Sequence, residues 1–259
     1  MIKIGIPCFL NTKIISYPIE QGKVEIPGSR LVEEVPAKLN EMLHDGRLDL
    51  GLISTGSLIG GDLVVPGISI SGPGKVGSVM LYSDCGIDEL DGKVVRLSSE
   101  SCTSNLLLRL LCSKRYGVEP EFVTDGRRKV DAELMIGDRA LAHRKERKRQ
   151  SLAIDMASEW HGWTSLPMVF AMMVARRADK EIIDAAKGLI EAKDWGLAHL
   201  KEVARASRPD FMTVKETEDY IANIDYALGP EHFRSVVGFR FMLKKSGLIE
   251  ESFIVPRLW

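Results

Sequence analysis

Small hydroxyls, amides and glycines, with few charges, gather at four places in this sequence, each after a short apolar run. Asn11 and Thr12 follow the run Ile2–Cys8. Ser54-Thr55-Gly56-Ser57 closes the run Leu48–Ser54. A segment holding Ser99, Ser101, Thr103, Ser104 and Asn105 follows Lys93–Ser98, and Gly137-Asp138-Arg139 follows Ala132–Ile136. Each apolar run reads as a strand, and ligands of open α/β sheets collect outside the carboxyl ends of strands. Groups of these types bind by hydrogen bonding rather than by counter-charge. They suit an anionic small molecule held by hydroxyls and backbone N–H groups.

Each place also has an ordinary structural use. Hydroxyls at a helix start cap the free N–H groups of its first turn. The same N–H groups and the helix dipole favour a carboxylate or phosphate. Four Ser or Thr residues in the six positions 99–104 exceed what one cap needs. Asn11 serves either an Asx turn or helix cap, or a ligand. Asp138 either caps the Arg139–Leu141 turn or pairs with an Arg, or belongs to a site.

Other features carry less. The run Arg144–Arg149 is basic but lacks interleaved aromatics and reads as a solvated loop. Trp160 and Trp163 read as packing residues, and His161 beside them is a weak candidate base. Ser-Gly-Pro-Gly at 71–74 is turn chemistry without phosphate-loop spacing. No Ser-His-Asp order or nucleophile elbow stands out. The cysteines (8, 85, 102, 112) and histidines (44, 143, 161, 199, 232) show no zinc-ligand spacing, and a disulfide framework is not expected.

The elements that must position these residues alternate. Ser29–Val35 is a second strand, and Pro36 opens a helix that Gly46 ends. Val64–Ile70 and Val76–Ser83 follow as strands. A second cycle starts near Asp84, with the strand Lys93–Ser98, an apolar helix over Asn105–Tyr116, and strands at Glu121–Thr124, Ala132–Ile136 and Leu152–Ile154. Leu166–Arg176 is a long apolar strand, and Asp179–Leu248 reads as mostly helical. This alternation predicts an α/β fold with mainly parallel sheets. Two cycles joined by strands predict two lobes, the first discontinuous (1–83 plus 168–259) and the second 84–167, with a ligand cleft between them.

Composition agrees. The 259 residues carry 35 Lys plus Arg against 36 Asp plus Glu, a net charge of −1, which argues against a dedicated nucleic-acid binder. No apolar run approaches the roughly 18 residues that a membrane span needs. The opening Met1–Cys8 is too short and β-like for a secretory signal, so a cytoplasmic location is expected.

The strand-end residues, taken in order, resemble the chorismate dehydratase family of the futalosine route to menaquinone. The matching stretches are Phe9-Leu10-Asn11, Leu48–Ser54, Ile68–Ile70 with Gly77–Leu81, Ser98–Asn105, Ile136–Leu141, and Asp155–Trp160 leading to Leu166–Ala171. The match runs to about residue 176, beyond which the helical tail is similar only in length and character. Two stretches depart from the family pattern. Ser165 and Met168 stand where the family usually has Gly and Phe, and the first loop lacks the usual Pro after Asn11.

The resemblance implies a two-lobed periplasmic-binding-protein-like fold of the second type. It implies dehydration of chorismate, a dicarboxylate, to 3-[(1-carboxyvinyl)oxy]benzoate, with no cofactor or metal. For that reaction, Thr103 and Ser104 within the Ser101–Asn105 segment, with the N–H groups at the start of their helix, are expected to bind one substrate carboxylate. Ser54 and Ser78 are expected on the facing lobe and Asn11 at the reacting edge. Asp138, after Gly137, holds the cleft closed or positions a polar group.

The rival readings are a non-catalytic small-anion solute-binding protein and a ligand sensor of the same fold. The expected lack of a signal disfavours the first. The absence of a helix-turn-helix segment and a basic face lowers the second. The sister enzyme of the pathway, which makes a dihydroxynaphthoate, is a further alternative, but its Asp-Pro-Asp-rich opening is missing here.

Overall fold

The apolar runs pair into two five-stranded sheets among the described residues, which in this computed structural model are 1–146 and 152–250. In chain order the strands are β1 (Ile2–Pro7), β2 (Ser29–Glu34), β3 (Leu50–Ser54), β4 (Leu63–Gly72), β5 (Val79–Ser83), β6 (Val94–Arg96), β7 (Glu121–Val123), β8 (Ala132–Ile136), β9 (Leu152–Asp155) and β10 (Met168–Ala175). The helices are α1 (Lys13–Glu20), α2 (Pro36–His44), α3 (Cys102–Leu110), α4 (Gly137–Glu146), α5 (Met156–Thr164), α6 (Lys180–Ala198), α7 (Leu200–Ser207), α8 (Val214–Ala222) and α9 (Pro230–Lys245). The first sheet has the order β2-β1-β3-β10-β4 and the second β7-β6-β8-β5-β9.

The neighbouring pairs are split evenly between parallel and antiparallel. β1 runs parallel to β2 and β3, and β6 runs parallel to β7 and β8. β10 is antiparallel to both β3 and β4, and β5 to both β8 and β9. One strand in each sheet, β10 in the first and β5 in the second, thus runs against the other four, so the sheets are mixed and mainly parallel as expected, though the sequence does not mark which strand is reversed. An apolar run covered on both faces looks the same whichever way it runs, and β5 and β10 are almost wholly buried.

The chain passes to the second sheet earlier than the sequence indicates. Val79–Ser83, expected as the end of the first lobe, pairs in the second sheet, so the crossing lies between Gly72 and Val79. Val76 and Gly77 do not extend β5, because their N–H groups donate to the Asp155 carboxylate at 3.1 and 2.7 Å. The other carboxylate oxygen accepts from Ala157 and Ser158, capping α5. One side chain thus ties the crossing to the start of a helix. Burial pushes the Asp155 carboxyl above its usual range, against the pull of these N–H donors.

The helix expected at Asn105–Tyr116 begins three residues sooner, because Ser101 is its cap. Its last turns widen over Leu111–Tyr116 into π-helical geometry before Gly117 ends them in a left-handed conformation. The return crossing from α5 to β10 passes through Ser165, whose φ is 59°. Glycine, expected here from the resemblance, is the residue that adopts this region without a steric penalty. Ser165→Gly is expected to raise stability by about 1 kcal/mol in urea denaturation. A variant no more stable than the parent would show that Ser165 carries no strain.

Trp160 on α5 is fully buried and packs edge-to-face on Trp163 and on Phe239 of α9. Its indole N–H donates to Ser235 Oγ at 2.9 Å. The tryptophans are packing residues, as the sequence indicates. In the basic run, Lys145 pairs with Glu216 of α8; residues 147–149 lie outside the described residues. No helix among the described residues is long and apolar enough to cross a membrane.

Candidate functional site

A cavity opens where the ends of β1, β3 and β10 in the first sheet face the ends of β5 and β8 in the second. It holds about 580 Å³ of non-protein space, part of it open to solvent. Its apolar wall includes Phe9, Ile70, Ile136, Phe170 and Ile224. Its polar wall comes from Asn11, Ser54, Ser78, Ser101 and Ser104. Among the described residues, no Asp, Glu, Lys, Arg or His lines it. An anion bound here is held by hydroxyls, amides and main-chain N–H groups.

Asn11 lies in a 3-10 turn, Leu10–Thr12, that leads β1 into α1. Thr12 shapes this turn, its hydroxyl donating to the carbonyls of Pro7 at 2.6 Å and Phe9 at 2.7 Å. The cap position of α1 makes no side-chain cap bond. Asn11 Oδ1 is buried without a hydrogen-bond partner among the described residues. The helix-cap and Asx-turn uses would each occupy that oxygen, so neither accounts for Asn11 here.

The α3 start keeps both uses expected of it. Ser101 Oγ accepts from the Ser104 N–H at 3.1 Å and donates to Ser104 Oγ at 2.8 Å. That arrangement leaves the Ser104 proton free for a ligand in the cavity. Ser54 is fixed through its backbone, its N–H donating to Asn40 Oδ1 at 3.0 Å. Ser78 and Gly137 are joined by a 2.8 Å bond from the Gly137 N–H to the Ser78 carbonyl. Gly137 has φ 57°, and a Cβ there would fall 2.8 Å from the Phe9 ring. The close approach of Phe9 to the second sheet therefore requires glycine.

Three expected site residues brace the cavity from behind its wall. Thr103 is fully buried; its hydroxyl donates to the Phe170 carbonyl at 2.8 Å and accepts from the Gly56 N–H at 3.0 Å. Both partners belong to the first sheet's side, so Thr103 joins α3 to it and has no proton left for a carboxylate. Asn105 closes the loop before α3 by exchanging two hydrogen bonds with the Ser98 backbone, at 3.0 and 2.8 Å. Asp138 accepts from the Leu10 N–H at 3.0 Å, a tie between α4 and the Asn11 turn. Burial raises the Asp138 carboxyl above its ordinary value, and the Leu10 N–H works the other way.

Sequence reasoning missed Phe170 and Ile224 in the wall. Phe170 sits in an apolar strand with nothing to mark it from its neighbours. Ile224 comes from the tail, where its spacing reads as an ordinary core position. Met168, a departure from the family pattern, is buried in β10 and does not line the cavity. Among the described residues, no group of three or more His, Cys, Asp or Glu is placed to hold a metal ion.

Comparison with known proteins adds to this geometry. The family described as Menaquinone biosynthesis matches residues 2–245. A chorismate dehydratase of Thermus thermophilus is 29% identical, with 78% of this chain and 80% of the relative covered. A protein from Archaeoglobus fulgidus superposes with a TM-score of 0.79 at 17% identity, covering 96% of this chain and 98% of that one. The periplasmic aliphatic sulphonate binding protein of Escherichia coli superposes at 0.67 and 14% identity, covering 98% and 90%. A Candida albicans protein described as exhibiting the generic periplasmic binding protein fold superposes at 0.68 and 14% identity, covering 98% and 92%. These likenesses make the fold periplasmic-binding-protein-like.

Proposed function

The chain belongs to this menaquinone-biosynthesis family, and we propose that it is a chorismate dehydratase of the futalosine route, converting chorismate to 3-[(1-carboxyvinyl)oxy]benzoate and water. The observation that carries the reading is the uncharged cavity. A hydroxyl-lined helix start faces it on one side, and the uncommitted oxygen of Asn11 lies on the other. The chorismate dehydratase of Thermus thermophilus supports the choice of substrate.

The chemistry asks little of the side chains. A proton leaves ring carbon 3, hydroxide leaves carbon 4, and the two combine as water while the ring becomes aromatic. The net change is redox-neutral, so its balance calls for no electron carrier. Aromatisation supplies much of the driving force, so no strongly perturbed base is mandatory. The protein's part is to fix the two carboxylates, exclude water from the ring and orient the departing hydroxyl. Ser104, with the α3 N–H groups, takes one carboxylate, where the helix end favours negative charge. Ser54, at the end of β3, lines the opposite side. Ser78, directly before β5 and bonded to Gly137, lies on the second sheet's side with Ser104 and not on the facing lobe expected for it. Asn11 orients the leaving hydroxyl or assists the proton transfer, and a substrate carboxylate is itself a candidate base.

In this reading each sheet with its helices is a lobe, and closure bends the two crossings, between Gly72 and Val79 and between Thr164 and Met168. Thr103 and Asp138 are then latches of the closed state instead of ligands. The test is incubation of the purified protein with chorismate, followed by chromatography and mass analysis. A product lighter by one water, formed without added cofactor, is expected. Binding without turnover would favour a receptor, and no binding would remove chorismate from consideration.

A further inference from the structure

The helical tail brings to the cavity a group with no part in the chemistry above. Tyr220 lies on α8, and Ile224, one turn further along the chain, lines the cavity. α8 packs against the turn that carries Asn11. Its far end is strapped to the first crossing. Asn223 Nδ2 donates to the Lys75 carbonyl, and Asp225 and Ser71 exchange two backbone hydrogen bonds of 2.9 Å. So anchored, the Tyr220 phenol is faced by the Ser78 hydroxyl and the Asn11 carboxamide, both cavity-lining groups.

The Tyr220 side chain is only 8% exposed, and its hydroxyl has no hydrogen-bond partner among the described residues. The hydroxyl of Tyr226, which lies beside it, is likewise without a partner among the described residues. A buried hydroxyl without a partner costs stability, and phenylalanine would fill the same space without that cost. Packing therefore explains the ring and leaves the oxygen unexplained. Burial holds the phenol well above its ordinary pKa, so it keeps its proton at neutral pH. It has one proton to give and lone pairs to accept with. The facing Asn11 Oδ1 is an acceptor without a donor, and Ser78 carries a hydroxyl proton. Such bonds are often long in an empty site and tighten when substrate arrives.

We propose that Tyr220 is a positioning residue for the dehydration: its O–H turns the Asn11 carboxamide so that the amide N–H groups point into the filled cavity, and its oxygen receives the Ser78 hydroxyl. The inference rests on the dehydratase reading.

Tyr220→Phe tests it. With chorismate as substrate, kcat is expected to fall about tenfold, the effect of one hydrogen bond made in the transition state, while KM stays within about twofold. The melting temperature is expected to hold or rise. In a Ser78→Ala background the same substitution is expected to cost less than about threefold, because one of its two partners is gone. A Tyr220→Phe enzyme with parental kcat overturns the inference and leaves the dehydratase reading standing. So does one whose kcat and melting temperature fall together, since that marks a structural role. A parent protein that does not turn over chorismate overturns both.

Discussion

Asn11→Ala is expected to fold with a parental melting temperature and to dehydrate chorismate about 10²- to 10³-fold more slowly, the loss seen when one preorganised polar group is removed from a reacting edge. The first half follows from hydrogen-bond accounting. Asn11 Oδ1 is buried without a partner among the described residues, and Thr12, not Asn11, ties the turn to Pro7 and Phe9. Removing an unsatisfied buried polar group does not penalise the fold. The second half follows from the cavity wall, where Asn11 is the amide among hydroxyls. Steady-state kinetics with product quantified by chromatography checks both halves. An alanine variant that keeps turnover within about twofold of the parent would take Asn11 out of the mechanism. One that fails to fold would make it a structural residue.

Asp155→Ala is expected to cost about 3 kcal/mol, from the lost cap of α5 and from buried N–H groups left without an acceptor at the crossing. Its two oxygens accept from Val76, Gly77, Ala157 and Ser158, and the side chain is 6% exposed. Urea denaturation with an unchanged slope gives the number directly. Turnover is expected to fall as well, because the Asp155 bonds hold the backbone of Val76 and Gly77, and Val76 and the adjoining Ser78 line the cavity. Asp155→Asn, which keeps one acceptor oxygen, is expected to recover part of both losses. A cost below about 1 kcal/mol would mean that strand pairing alone holds the crossing.

What could be read from the sequence followed from one local regularity, a short apolar run ending in small polar residues. That regularity located Asn11, Ser54, Ser101, Ser104 and Gly137, all of which line one cavity in the structure. The family resemblance added Ser78. Residue type alone could not tell which hydroxyl faces the cavity and which faces away. Thr103 and Ser104 are adjacent on α3, and their roles separate only because Phe170 and Gly56 lie on the Thr103 side. Strand direction was equally hidden, since β10 is apolar on both faces. Tyr220 and Ile224 carried no signal at all. One helical turn apart, they look like an ordinary core stripe, and only the strap to Ser71 and Lys75 brings them to the site. Ser165 is the reverse case, where a departure from the family's glycine coincides with a left-handed backbone.

The place of β10 in the first sheet also bears on how the molecule is made. β4 has β10 as its neighbour in the sheet, and the tail residues Asp225 and Tyr226 bond to it as well. All of these are synthesised long after β4 itself. The strands of the second sheet, by contrast, are consecutive, from Val79 to Asp155. On the ribosome the second sheet can therefore close while β3 and β4 still wait, with open edges, for the strand that belongs between them. That interval is when the nascent chain is most exposed to mispairing, because an unpaired strand edge accepts whatever strand reaches it first.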